Sequence, residues 1–166
     1  MIVVSDTSAL IVLSKMNRLD VLRVLYGSVL IPPEVHIELT EQAIKFGIAD
    51  IIADTAEWLR VQTPRSITAY KGLHPGETAA IALAKELKAD FLIIDEKTGR
   101  KVAAQEQVQS IGTIGVLEKA AEAGLLELAS TFEQLKQMKF HVTDLLLDAR
   151  LKTFQEMQAI KRKADS

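Results

Sequence analysis

Four carboxylates in this chain sit where a folded sheet would put them to use: Asp6, Glu38, Glu77 and Asp95. Asp6 closes the apolar run Ile2-Val3-Val4-Ser5 and is followed by the hydroxyls of Thr7 and Ser8, while Asp95 closes Phe91-Leu92-Ile93-Ile94. Short continuous apolar runs read as buried parallel strands. Both aspartates therefore fall at strand carboxyl ends, the edge where open α/β sheets bind ligands. Glu77 opens a helix that feeds the Asp95 strand and runs antiparallel to it, so its first turn starts near the same edge. Glu38 reaches toward that edge from the helix after Pro33. Carboxylates brought that close need a cation. Oxygen donors with neither cysteine nor a histidine pair select hard Mg²⁺ or Mn²⁺. The chemistry of such a site is metal-activated water attacking a phosphodiester, with the ion stabilising the attacking and leaving oxygens.

Each of the four also has an ordinary structural role open to it. Asp6 and Asp95 precede helical patterns, where an aspartate caps unpaired N–H groups. Glu77 falls in a first helical turn, where the macrodipole favours negative charge. Glu38 shares a face with Glu34 and Glu41 that solvent alone would explain. The case for a site rests on the four converging.

The elements that must position them follow from periodicity. After Asp6, Ala9, Leu10, Val12, Leu13 and Met16 form a helical stripe, and residues 19–25 a second short helix closing at Tyr26-Gly27. Residues 28–31 read as a strand stopped by Pro32-Pro33, and Pro33 suits a first helical turn. Residues 34–46 are amphipathic, Gly47 breaks them, and a shorter helix follows over about 48–56. Residues 58–61 alternate like a strand, 63–72 form a loop, and Pro75-Gly76-Glu77 opens a helix so apolar over 78–87 that it must be buried. Beyond the Asp95 strand come a helix to about residue 106, an edge strand over 108–111 and a helix ending near Gly124. The tail holds two more helices, 131–138 and 143 to about 163, the last with Leu145, Leu146, Leu147, Leu151 and Phe154 as an apolar side. Strands alternating with helices imply a three-layer α/β/α domain with a mostly parallel central sheet. The expected organisation is a domain over residues 1–126 and a C-terminal helical extension over 127–166, packed on the domain or serving as a dimer arm.

Composition narrows the class. A chain of 166 residues, 48% apolar and 25% charged, is ordinary for a globular domain with a full core. The net charge of −2 carries no global signature of nucleic-acid binding, which leaves only a local basic rim for phosphates. The absence of cysteine excludes disulfides, thiolate zinc sites and thiol catalysis. The start lacks a basic segment ahead of an apolar one, and no apolar run reaches membrane-spanning length. The expectation is a soluble, cytoplasmic protein with no membrane partner.

The set Val4-Ser5-Asp6-Thr7-Ser8, Glu38-Leu39, His74-Pro75-Gly76-Glu77 and Leu92-Ile93-Ile94-Asp95 resembles the PIN domain, the fold of VapC-type toxin ribonucleases. It is most similar to a branch of prokaryotic PIN-like proteins with a Pro-Gly-Glu ahead of an Ala-rich helix, an Asp-x-x-x-Gly-Arg turn, and Gly112-Thr113-Ile114-Gly115-Val116-Leu117. The resemblance runs in order over about residues 2–126. It implies a Mg²⁺- or Mn²⁺-dependent endoribonuclease, the toxin of a toxin–antitoxin pair, with an antitoxin partner and a homodimer. Its four acidic positions match Asp6, Glu38, Glu77 and Asp95. Asp6, Glu77 and Asp95 would hold the metal, and Glu38 would be a ligand or support one. Thr7 or Ser8 matches the hydroxyl after the first aspartate, which would orient Asp6 or a metal-bound water. The third position is commonly aspartate in the toxins and is glutamate here, and Glu96 competes with Asp95 for the fourth. The rival reading of the same residues is a catalytically weak or inactive PIN-like module that binds nucleic acid or a partner.

Lys97 and Arg100, one turn beyond Asp95, are candidate phosphate contacts or simply exposed helix charges. His74 is expected to cap the next helix rather than shuttle protons, and Gly99 and Gly112 to serve turns. Two other folds begin with a strand ending in aspartate or a turn. A haloacid-dehalogenase-type phosphatase resembles Asp-x-Asp-x-Thr there, and Asp6-Thr7-Ser8 lacks the second aspartate. A dinucleotide-binding domain needs a glycine-rich first turn, which Asp6-Thr7-Ser8-Ala9 does not supply.

Overall fold

A computed structural model describes residues 1–166. The chain divides into two units, residues 1–116 and 117–166. The first unit is built on five strands: β1 (Val3–Ser5), β2 (Val29–Ile31), β3 (Leu59–Val61), β4 (Phe91–Ile93) and β5 (Ser110–Ile111). They form a single sheet in the order β3-β2-β1-β4-β5, with every pairing parallel. The helices connecting them are α1 (Thr7–Lys15), α2 (Asp20–Tyr26), α3 (Pro33–Phe46), α4 (Ala49–Ala53), α5 (Pro75–Leu87) and α6 (Lys97–Gln105). The fold is a PIN-like α/β/α sandwich, and the sheet is wholly rather than mostly parallel.

Strand order is what places the site. The chain steps from β1 to β2 to β3 in one direction, returns through α5 to β4 on the other side of β1, and continues to β5. The direction of winding therefore reverses between β1 and β4. At such a switch point the loops leaving adjacent strands part to opposite sides and open a crevice beyond the carboxyl ends. Register sets Ser5 against Ile93, and the Asp6 N–H donates to the Ile93 carbonyl at 3.0 Å. Asp6 and Asp95 are thus carried to the two lips of that crevice.

The core explains why the segments fold as they do. Val3, Val4, Val29, Ile31, Leu92, Ile93 and Ile94 are buried, as expected of central parallel strands covered on both faces. In α5 every residue from Gly76 to Leu83 except Ala82 is buried, so the helix is apolar on nearly all sides because it is surrounded. Gly47 ends α3 with φ +69°, a left-handed cap that glycine adopts without Cβ strain. Several elements are shorter than periodicity implies: α4 covers five residues and β5 two. Val108 and Gln109 lie outside β5, although the Gln109 carbonyl still accepts from the Leu92 N–H at 2.8 Å.

The second unit begins within α7 (Thr113–Glu122) and contains α8 (Leu128–Gln137) and α9 (Asp144–Ala164). Here α8 packs on α9, Lys136 bridges Glu133 at 3.0 Å and Asp148 at 2.6 Å, and Arg150 pairs with Glu118. The apolar side expected for α9 is narrower than its leucine run suggests. Leu147 is buried and Leu151 and Phe154 are half-buried, whereas Leu145 is 78% exposed and Leu146 is also exposed. Consecutive residues are about 100° apart around a helix, so only the 147/151/154 series shares a stripe. No helix of the protein is long and apolar enough to cross a membrane.

Candidate active site

Asp6 is the residue after β1 and the N-cap of α1, with extended backbone. It is 1% exposed, and its only donor is the Ala9 N–H at a long 3.5 Å. Burial pushes its carboxyl well above the usual carboxylate range, and the charge of Asp95 pushes the same way. The Ala9 N–H opposes them, and Glu77 and Glu38 add to the upward push. All four sequence-selected acids therefore act on one crevice.

The other three are better supplied with donors. Glu38, one turn into α3, accepts from the Thr7 hydroxyl at 2.6 Å and from the Gly76 N–H at 3.1 Å. Of the two hydroxyls after Asp6, Thr7 is the one that touches the site, and it orients Glu38 rather than Asp6; Ser8 is exposed. Asp95 is 8% exposed and accepts from Thr113, its Oδ1 from the backbone N–H at 2.8 Å and its Oδ2 from the hydroxyl at 2.5 Å. It thus anchors the start of α7, while Glu96 caps α6 by accepting from the Gly99 N–H at 2.7 Å. Asp95 and Glu96 share a turn but face different neighbours.

Glu77, in the first turn of α5, is 4% exposed. Its Oε1 lies 2.5 Å from His74 Nε2, and its Oε2 is buried without a donor. Burial raises the Glu77 carboxyl, the His74 ring opposes this, and Glu96 and Glu38 raise it further. Burial likewise acts to raise Glu96, but N–H groups of Gly99 and Thr98, the Thr98 hydroxyl and the neighbouring Glu77 side chain outweigh it and hold it below the usual range. With no protein donor, Glu77 Oε2 is left to a proton, a water or a cation.

Three glycines make this packing feasible, and none of them does so through a left-handed backbone. A Cβ on Gly76 would fall 2.5 Å from Glu38 Oε2, and one on Gly112 would fall 2.8 Å from Asp95 Oδ1. One on Gly99 would fall 3.2 Å from Glu77 Oε2 and 2.5 Å from the Ile94 side chain. Gly99 lies inside α6 rather than in a turn, whereas Gly112 is the one residue joining β5 to α7, and at both the backbone approaches a site carboxylate closely. Thr113 was equally unmarked by periodicity, since it meets Asp95 only through the β4–β5 pairing. Its neighbour Gly112, beside a hydroxyl residue ahead of an apolar helix, is the signal that would have found it.

Of the cationic residues, Lys97 and Arg100 are exposed on α6 and make no ion pair. Arg100 approaches the crevice: its Nη1 is 3.8 Å from where a Gly112 Cβ would stand.

The donor set fits a hard divalent ion. It is all oxygen, it is strongly anionic, and it contains a buried carboxylate oxygen with no partner. As the side chains stand, no three of them form a ready ligand set. Thr7, Gly76 and Thr113 hold Glu38 and Asp95 at their own donors, although each carboxylate oxygen keeps a second lone pair for an ion.

The sequence matches the PIN domain family model over residues 2–156. The chain belongs to the PIN domain family, whose fold is of the nuclease type and whose members typically use divalent metals. Among solved structures it is similar to a PilT N-terminus domain protein from the hyperthermophilic archaeon Sulfolobus solfataricus P2, with 24% identity and a TM-score of 0.53, over 72% of this chain and 93% of that one. That likeness supports the fold. No curated protein matches the chain.

Proposed function

We propose that this protein is a Mg²⁺- or Mn²⁺-dependent endoribonuclease, acting as the cytoplasmic toxin of a prokaryotic toxin–antitoxin pair. The observation that carries the reading is the crevice at the β1/β4 switch point. It gathers four acids there, and two of them, Asp6 and Glu77, are buried with too few donors to satisfy their charge. When bound, a divalent ion would supply an activated water and stabilise the leaving oxygen of a phosphodiester. Asp6 and Glu77 would hold the ion through their unsatisfied oxygens, with Asp95 contributing the lone pairs that Thr113 leaves free. Glu38, pinned by Thr7 and Gly76, would fix the geometry from the side. Arg100, unpaired beside Gly112, would take a substrate phosphate as the strand crosses the crevice. Lys97 extends the same exposed face.

An antitoxin and a second copy are the partners this reading brings with it. The first unit offers an apolar cleft of about 640 Å³ between α3, α4 and the edge strand β3, lined by residues such as Leu39, Ala43, Ile52 and Val61. Open strand edges beside apolar clefts suit peptide segments. The rival reading, a binding module without catalysis, draws on the absence of a ready ligand set.

The test is cleavage of a mixed RNA pool with added Mn²⁺, comparing wild type with Asp6→Asn. Metal-dependent cleavage by wild type, falling to the EDTA background in the variant, is expected. Equal cleavage by both, or none by either with Mn²⁺ verified as bound, refutes the catalytic reading. RNA retention without metal dependence selects the binding module.

A further inference from the structure

His74 stands at the N-cap of α5, with Nδ1 3.4 Å from the Glu77 N–H and Nε2 2.5 Å from Glu77 Oε1. The backbone N–H is a donor, so Nδ1 must accept. A carboxylate oxygen is an acceptor, so Nε2 must carry the proton. A ring with its proton on Nε2 satisfies both contacts. Glu38 Oε1, 3.3 Å from Nδ1, accepts from the Gly76 N–H at 3.1 Å.

Capping explains only half of this. Asparagine, aspartate, serine and threonine are the preferred N-cap residues, and a histidine adds nothing to that role. What it adds is reach: the same ring that accepts from the Glu77 backbone also donates to the Glu77 side chain. Glu77 is thereby gripped at both ends, and rotation of its carboxylate away from the position beside Gly99 breaks the Nε2–H bond.

We infer that His74 is a positioning residue for Glu77, its Nε2–H bond to Oε1 leaving the buried Oε2 turned toward Gly99 and free to bind a divalent cation. The inference rests on the reading of the crevice as a metal site. Donors that orient ligating carboxylates commonly change metal affinity by about 10- to 100-fold when removed.

Two substitutions separate the roles. His74→Asn keeps an acceptor for the Glu77 N–H but is too short to reach Oε1 from the same rotamer. His74→Gln places an amide N–H near the position of Nε2 and caps poorly. Binding of Mn²⁺ alone to the full chain is measured by electron paramagnetic resonance, with Tm in EDTA as the control for folding. The expected result is a Tm near wild type for His74→Asn with Mn²⁺ affinity lowered by about tenfold or more. For His74→Gln, affinity is expected to recover largely, with a lower Tm. Wild-type Mn²⁺ affinity in His74→Asn overturns the inference, as does a His74→Gln variant that binds no better than His74→Asn. If wild type itself binds no Mn²⁺, the metal reading of the crevice fails and the inference fails with it.

Discussion

Asp6→Asn should make the protein more stable when divalent metal is removed. Ser5 pairs with Ile93, so Asp6 lies opposite Ile94, with Asp95 one residue further along the neighbouring strand. A strand spacing of about 4.8 Å and a rise of about 3.3 Å set their two Cα atoms roughly 6 Å apart, which gives the order of the separation between the charges. At an effective dielectric of about 20, that pair alone costs about 3 kcal/mol. Glu77 and Glu38 add to it, while partial protonation of Asp6 relieves some of it. Asparagine caps α1 as well as aspartate does, and the lost charge–dipole interaction is worth about 0.5 kcal/mol. The net expectation is a gain of about 2 kcal/mol, or a Tm higher by about 4–8 °C for a chain of this size.

The pH dependence follows from the direction of the Asp6 shift. A carboxyl raised by folding binds its proton more tightly in the folded than in the unfolded chain. The resulting stability is present at low pH and is lost as pH rises from about 4, the ordinary carboxylate value, through the raised folded value. Wild-type Tm in EDTA should therefore fall across that window. Asp6→Asn should flatten the fall without abolishing it, because Glu77 is shifted in the same sense. Thermal melts of both proteins in EDTA across the acidic to neutral range measure this, and Mn²⁺ should then raise the Tm of wild type alone. An Asp6→Asn variant no more stable than wild type in EDTA at neutral pH would refute the claim that uncompensated charge is concentrated at Asp6.

Two further substitutions test the surrounding shell. Gly76→Ala improves helix propensity by about 1 kcal/mol, yet its Cβ meets Glu38 Oε2 at 2.5 Å. It should be destabilising by about 1–3 kcal/mol in urea unfolding, and a stabilised variant would show that Glu38 is free to move. Arg100→Gln should leave Mn²⁺ affinity unchanged and reduce the slope of log binding constant against log salt for single-stranded RNA by about 0.7. An unchanged slope removes Arg100 from the phosphate path.

What was legible in the sequence is what periodicity and strand-end chemistry encode. The runs ending in Asp6 and Asp95 mark central parallel strands because burial on both faces demands continuous apolar residues. Proline and glycine punctuate α3 and α5 where their backbone geometry requires. Strand order is not written locally, since the pairing of β1 with β4 joins residues about ninety apart in the chain. That pairing creates the switch point, so convergence of Asp6 and Asp95 could be argued from a shared edge but not from adjacency. Thr113 was marked only as part of the Gly112–Leu117 motif, and its role was hidden for the same reason: nothing within its own helix says that its hydroxyl meets a carboxylate 18 residues earlier. The leucine run of α9 misled in the opposite way, because three consecutive leucines cannot share one helix face.

The distribution of donors around the crevice says more than the count of acids. Glu38 has a hydroxyl and an N–H, Asp95 has another such pair, and Glu96 has the start of α6. A fold that needed these carboxylates only as caps and clamps would leave each of them satisfied. Asp6 instead keeps a single long contact, and Glu77 keeps one oxygen with none. These are also the two that burial and neighbouring charge drive upward. The donors therefore immobilise the outer acids and leave the electrostatic strain on the inner pair, where binding one cation would relieve most of it at once.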